Sequence, residues 1–96
     1  MKLWIDDVRP APEGYIECKS VYAAKSMIEV YGDVIELIDI DHDAGKYVRL
    51  GGDYIRLLDY LEETGRSYPI RIHSMNPVGV ENMRRIIQRN RWTEVK

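Results

Sequence analysis

Three short segments gather residue types able to hold cations, bind phosphate and move protons: Asp6-Asp7, Asp41-His42-Asp43 and His73-Ser74-Met75-Asn76. Asp6, Asp7, Asp41 and Asp43 make an oxygen-rich set of the kind Mg²⁺ prefers while it keeps several of its waters, so Mg²⁺ or another divalent metal is the expected cofactor. An isolated Asp-Asp pair reads more readily as a turn or cap. The second acidic cluster turns the reading toward a site. Without a metal, like charges this close raise at least one carboxyl pKa, a recognised preparation for acid/base work. His42 and His73 are the only histidines, and both follow apolar runs. One alone would be structural, but two can share proton removal and return during phosphodiester cleavage. Asn76-Pro77 announces a helix start whose unpaired amides favour an anion, and Gly51-Gly52-Asp53 offers a second such start, or only a cap. Arg9 is either a cationic clamp or an exposed loop charge.

Composition limits what these residues can belong to. Ninety-six residues, 45% hydrophobic and 31% charged, suit one globular domain, which at this size buries roughly 60–65% of its extended surface. Cys18 is the sole cysteine, which excludes a disulfide framework and a thiolate metal cage, reads as a small buried hydrophobe, and suits a reducing cytosol. Met1-Lys2-Leu3-Trp4-Ile5 runs directly into aspartates, unlike a signal peptide, and no stretch is long and apolar enough for a membrane span. A cytoplasmic location is therefore expected. Charge is uneven: residues 1–65 carry 7 basic and 14 acidic side chains, and residues 66–96 carry 7 and 2. The basic end could attract a phosphorylated ligand, although Arg84, Arg85, Arg89 and Arg91, without aromatic interleaving, read first as a solvated face and second as an RNA contact. Trp4, Trp92 and the tyrosines read as packing residues.

The elements that must position the clusters alternate along the chain. Residues 2–6 suit a buried strand and 15–19 a second, separated by a loop that holds Pro10, Pro12 and Gly14. Ser20 caps a helix from Val21 to about Tyr31, with Val21, Ala24, Met27, Ile28 and Tyr31 on one face and Gly32 as its stop. Residues 34–41 form the longest apolar run, a strand near the sheet centre. A glycine-bearing loop over 44–52 leads to a helix capped by Asp53, striped with Tyr54, Leu57, Leu58 and Leu61, and ended by Gly65. Residues 69–74 give a strand, Asn76-Pro77 opens a helix to about Asn90 with Val80, Met83, Ile86 and Ile87 inward, and 93–96 is a last strand. Such alternation predicts a mostly parallel sheet with right-handed crossovers. Ligands of open parallel sheets bind beyond the carboxyl ends of the strands. All three polar clusters fall there. The 7–14 connection is short for a parallel crossover, which leaves an antiparallel second strand open.

Taken in order, Leu3-Trp4-Ile5-Asp6-Asp7-Val8-Arg9-Pro10, Asp41-His42-Asp43-Ala44-Gly45, Gly52-Asp53-Tyr54 and His73-Ser74-Met75-Asn76-Pro77-Val78-Gly79 resemble the cyclic-phosphate processing receiver-like family over nearly the whole chain. The resemblance implies a three-layer, receiver-like (flavodoxin-like, Rossmannoid) α/β domain. Its five-stranded sheet would have the order 2-1-3-4-5, the helix after the first strand would shrink to the proline-rich loop, and the final helix would be missing. It also implies processing of a cyclic phosphate on a nucleotide or an RNA end. Matched by position, Asp6, Asp7 and Arg9 carry the first motif, Asp41, His42 and Asp43 the second, and His73, Ser74 and Asn76 the third. Ala44 stands where the family leads us to expect a larger aliphatic, Asp39 adds an acid on the Asp41 side of its strand that either enlarges the metal site or is partly exposed, and Lys96 sits where an ordinary receiver has its phosphate-sensing lysine.

Three functions follow as expectations. In the first, Asp6, Asp7, Asp41 and Asp43 hold metal, Arg9, Ser74 and Asn76 bind phosphate, and Asp41, His42 and His73 carry out the hydrolysis of a cyclic phosphodiester. In another, Asp41 accepts a phosphoryl group as in a signalling receiver. In the third, the cleft binds nucleotide, RNA or protein without catalysis. A cyclic nucleotide or RNA end is the expected ligand, with no membrane or DNA partner.

Overall fold

The computed structural model describes all residues, 1–96. Five strands, β1 (Lys2–Ile5), β2 (Tyr15–Cys18), β3 (Leu37–Ile40), β4 (Ile70–Ile72) and β5 (Glu94–Val95), alternate with helices α1 (Val21–Tyr31), α2 (Ile55–Thr64) and α3 (Pro77–Arg89). The sheet order is β2-β1-β3-β4-β5 and every pairing is parallel. This is the receiver-like α/β arrangement, and it settles the second strand as parallel despite its short connection.

Register explains which side chains reach which face. Leu3, Ile38 and Ile70 lie abreast, as do Ile5 and Ile40. All five join Val21, Ala24, Ile28, Leu57, Leu58, Leu61, Met83, Ile86 and Ile87 in one buried cluster. Strand alternation therefore sends one face of the sheet into all three helices. The other face carries Trp4, Asp39 and Arg71 abreast, with Tyr15 beside them. No helix covers that face. The third layer is reduced to the 6–14 segment, which is tied down where Trp4 Nε1 donates to the Arg9 carbonyl (2.9 Å) and the Ala11 amide donates to Glu17 (3.2 Å).

Local signals acted largely as their chemistry dictates. Ser20 Oγ accepts from the Ala23 amide at 3.0 Å, Asn76 Oδ1 accepts from the Gly79 amide at 3.0 Å, and Pro77 opens α3. Gly65 ends α2 in the left-handed conformation that other residues avoid. Two expectations need correction. Asp53 does not cap α2: its carboxylate reaches back to the Ala44 amide at 3.0 Å, and α2 starts after Tyr54 without a side-chain cap. The strand expected from residue 34 begins only at Leu37, because Gly32–Val34 forms a 3-10 turn that leaves Val34 exposed. Cys18 is buried, as a small hydrophobe should be, and burial pushes its thiol up to about 11. No helix is long and apolar enough to cross a membrane.

Candidate functional site

The carboxyl ends of β1, β3 and β4 meet at an open cleft of about 380 Å³ lined by Asp6, Asp7, Arg9, Asp41, Asp43, Ser74 and Asn76, together with Val8 and Met75. The parallel sheet makes this convergence inevitable. Its three central strands all end on one edge, and each passes directly into a polar segment.

Asp6, Asp7 and Asp41 each bring a carboxylate oxygen within 4.8 Å of the others. Asp6 is almost wholly buried. Its Oδ1 accepts the Val8 and Arg9 amides (2.9 and 3.1 Å) and its Oδ2 meets His73 Nε2 at 2.9 Å. Burial alone would raise its pKa, but these bonds outweigh burial and hold the carboxyl below its ordinary range. For Asp7 a single backbone amide bond, its own, does not offset burial. Burial, followed by the charges of Asp6 and Asp41, pushes it up. Gly45, at φ +54°, is what lets Asp7 sit there, since a Cβ at that position would stand 2.2 Å from Asp7 Oδ2. Asp41 Oδ1 accepts from the His42 amide at 2.7 Å. Asp43, the fourth acid expected at a metal, borders the cleft but turns its Oδ1 to His42 Nδ1 (2.6 Å) and Asn76 Nδ2 (3.1 Å). Those two bonds hold its pKa low, the His42 bond having the larger effect.

The two histidines occupy different settings. His42 lies over the first turn of α3, against Gly79, where an added Cβ would approach its ring carbon Cγ to 2.4 Å. His73 sits on the helix-free face, stacked flat on Trp4 with 3.8 Å between ring centres and 5° between planes. Its Nδ1 meets Asp39 Oδ1 at 2.6 Å and its Nε2 meets Asp6, so both ring nitrogens are engaged. Arg9 reaches the same edge, donating from Nη1 to the His73 carbonyl at 3.3 Å. Ser74 Oγ accepts from the Asn76 amide at 3.2 Å.

Other candidates lie elsewhere. Gly51 and Gly52 border a separate cavity with Lys25, Arg49 and Arg56, away from Asp43, so they form no second anion cradle at the cleft. Lys96 is exposed and pairs with Glu94 at 3.2 Å. Arg84 pairs with Glu94 and Arg89 with Glu62, both at 2.9 Å, and Arg84 and Arg85 line a groove that reaches Ser74 and Met75 at the rim of the cleft.

Sequence reasoning missed the supporting roles of Trp4, Tyr15, Arg71, Gly45 and Gly79. A signal existed for two of them. Trp4 precedes Asp6 by two residues, and Arg71 precedes His73 by two, the spacing that puts strand neighbours on one face. The glycines stood inside the motifs, but only contact distances reveal why side chains are excluded there.

Neither the curated proteins nor the solved structures gave a match to the chain. The family described as "Cyclic-phosphate processing Receiver domain" matches residues 1–89, which span all three clusters and every helix. With the receiver sheet order and the acidic strand ends in place, the chain belongs to the cyclic-phosphate processing receiver domain family.

Proposed function

We propose that the cleft binds a cyclic phosphate, carried by a nucleotide or an RNA end, and opens it by hydrolysis. The observation that carries this reading is the convergence of three carboxylates on a cleft also lined by Arg9, Ser74 and Asn76. Acids alone would repel phosphate. The mixed lining suits a phosphate paired with a cation.

A divalent cation fits the residues present. Asp7 is a partly buried carboxylate whose charge its neighbours oppose, and a cation held by Asp6, Asp7 and Asp41 relieves that repulsion. Bound there, Mg²⁺ or a similar ion would supply Lewis-acid polarisation of a phosphoryl oxygen. The remaining chemistry falls to the chain. Arg9 and the Asn76 amide group orient the phosphate, with Ser74 beside them. Asp43, held as a carboxylate, accepts from His42 Nδ1, which leaves His42 Nε2 to take or return a proton. In ring opening a water oxygen forms the new bond to phosphorus while one ester P–O bond breaks, and the water's proton passes to the departing sugar oxygen. His73 holds Asp6 instead of shuttling that proton, because neither of its nitrogens is free. Cytoplasmic action belongs to the same proposal.

Incubation with a panel of 2′,3′-cyclic nucleotides and a cyclic-phosphate-ended oligoribonucleotide, with Mg²⁺ or Mn²⁺, tests the reading. Metal-dependent monoester formation, lost in Asp41→Asn, is expected. Absence of product across the panel would contradict it. A second reading, Asp41 as phosphoryl acceptor, draws support from the same acid trio and from Ser74 at the end of the neighbouring strand. The outward pairing of Lys96 counts against it. Acetyl phosphate followed by intact-mass measurement decides the matter, and an unshifted mass removes this alternative.

A further inference from the structure

Asp39 is completely buried on the sheet face that no helix covers. A carboxylate there is costly unless it is paired and hydrogen-bonded. Three groups compensate it: His73 Nδ1 at 2.6 Å, Arg71 Nη1 at 3.1 Å and the Tyr15 hydroxyl at 3.3 Å. Replacing a buried ion pair by apolar side chains is often neutral or stabilising, so packing alone gives no reason for a charge at this position. The geometry supplies one. Across the ring, His73 Nε2 meets Asp6 Oδ2 at 2.9 Å. Carboxylate oxygens only accept, so a ring that serves both acids donates from both nitrogens. Trp4, stacked at 3.8 Å, removes the ring's freedom to tilt.

Asp6 is consequently held at both oxygens, by the Val8 and Arg9 amides on one and by His73 on the other. A chain of contacts thus runs from Asp39 through the ring to the cleft. We propose that Asp39 is a positioning residue: acting through His73, it fixes the orientation in which Asp6 joins Asp7 and Asp41 at the cleft. The proposal rests on the cation-binding reading of that cleft. Asp39 stands outside the motifs that carry the family resemblance, and the role is specific to what this side chain touches.

Asp39→Asn preserves shape and removes the charge. Arg71→Ala removes another partner of Asp39 without touching the ring, and so controls for general loss of stability. The full chain and both variants are titrated with Mn²⁺ at neutral pH, reading the free ion by electron paramagnetic resonance, and their ring-nitrogen and Asp6 carboxyl-carbon resonances are recorded without metal. Removal of a group that orients a metal ligand typically weakens metal binding about 10–100-fold, and a loss of that order is expected in Asp39→Asn. The His73 Nδ1 and Asp6 resonances should shift with it, and Arg71→Ala, which leaves the Asp39–His73 bond in place, should lose far less Mn²⁺ affinity than Asp39→Asn. Unchanged affinity in Asp39→Asn overturns the proposal, and so does an equal loss in Arg71→Ala. If the parent protein itself takes no Mn²⁺, the cation reading fails, and the Asp6 resonance alone then judges the role of Asp39: a shift confined to Asp39→Asn supports it, and an unmoved resonance overturns it. Should Asp39→Asn fail to fold, Asp39→Glu, which keeps the charge and displaces the carboxylate by one methylene, takes its place under the same criteria.

Discussion

Gly79→Ala should reverse the usual benefit of alanine in a helix. Gly79 lies in the first turn of α3, where Ala is ordinarily favoured over Gly by up to about 1 kcal/mol. Here the new methyl would stand 2.4 Å from His42 Cγ, 2.6 Å from Cδ2 and 2.8 Å from Nδ1. Ordinary carbon contacts are about 3.5–4.0 Å, so the ring must retreat by roughly 1 Å. Rotation about χ2 cannot move Cγ, which leaves χ1 or the backbone. The backbone is pinned, because the His42 amide donates to Asp41 (2.7 Å) and its carbonyl accepts from Tyr54 (2.9 Å). Any χ1 change carries Nδ1 away from Asp43. Overpacking of this kind costs about 1–3 kcal/mol. Set against the helix gain, the net effect is a loss of about 0–2 kcal/mol, or a Tm fall of up to about 10 °C for a domain of this size. Thermal unfolding in a double-mutant cycle with His42→Ala isolates the cause. With the ring gone, the same Gly79→Ala change should stabilise by up to about 1 kcal/mol, giving a coupling above roughly 1 kcal/mol. Additive effects, or a more stable Gly79→Ala single variant with an undisturbed His42 resonance, would refute the reasoning.

Asp7→Asn should stabilise the metal-free protein by about 0.5–2 kcal/mol at neutral pH, the usual exchange of function for stability. The sign follows from the raised pKa: burial, then Asp6 and Asp41, disfavour the charged form, so stability is lost as pH rises through the folded-state value. Urea unfolding across pH reads this directly, and a less stable variant would contradict it. Asp6 and Asp39 behave in the opposite sense. For both, hydrogen bonds outweigh burial and depress the pKa, so their contribution is present above the ordinary aspartate value of about 3.9 and disappears as pH falls below it. Asp39→Asn should therefore flatten the acid limb of a stability-versus-pH curve measured by urea unfolding, and an equally steep limb would count against the buried chain of contacts. Asn76→Ala removes the cap on the Gly79 amide and a donor to Asp43, and should cost about 1 kcal/mol in denaturant unfolding. A cost near zero would show that neither bond matters.

Much of the fold was legible because local chemistry and global topology agree. Ser20, Gly32, Gly65 and Asn76-Pro77 mark helix ends by mechanisms that act within a few residues, and α1 spans the residues expected of it. Asp53 misled because a carboxylate before a helix can satisfy a distant amide as well as its own, and only the loop's path brings Ala44 within reach. The strand-end acids were legible from the rule that ligands sit at the carboxyl edge of parallel strands. Which of them face one another was not. Asp43 and Asp41 lie two residues apart, yet one turns to His42 and Asn76 and the other joins Asp6 and Asp7. The same holds for His73. Its type suggested proton transfer, and nothing local told that Asp39, Asp6 and Trp4 enclose its ring.

The most direct test of a shared cation and phosphate cleft is a ³¹P spectrum of a 2′,3′-cyclic nucleotide recorded with Mn²⁺ and protein, then followed over time with Mg²⁺ in place of Mn²⁺. The expected result is phosphorus line broadening beyond that caused by Mn²⁺ alone, abolished in Asp41→Asn, and in Mg²⁺ a monoester line that replaces the cyclic one. A cyclic-phosphate line of the same width with and without protein, and unchanged with time, would contradict the account.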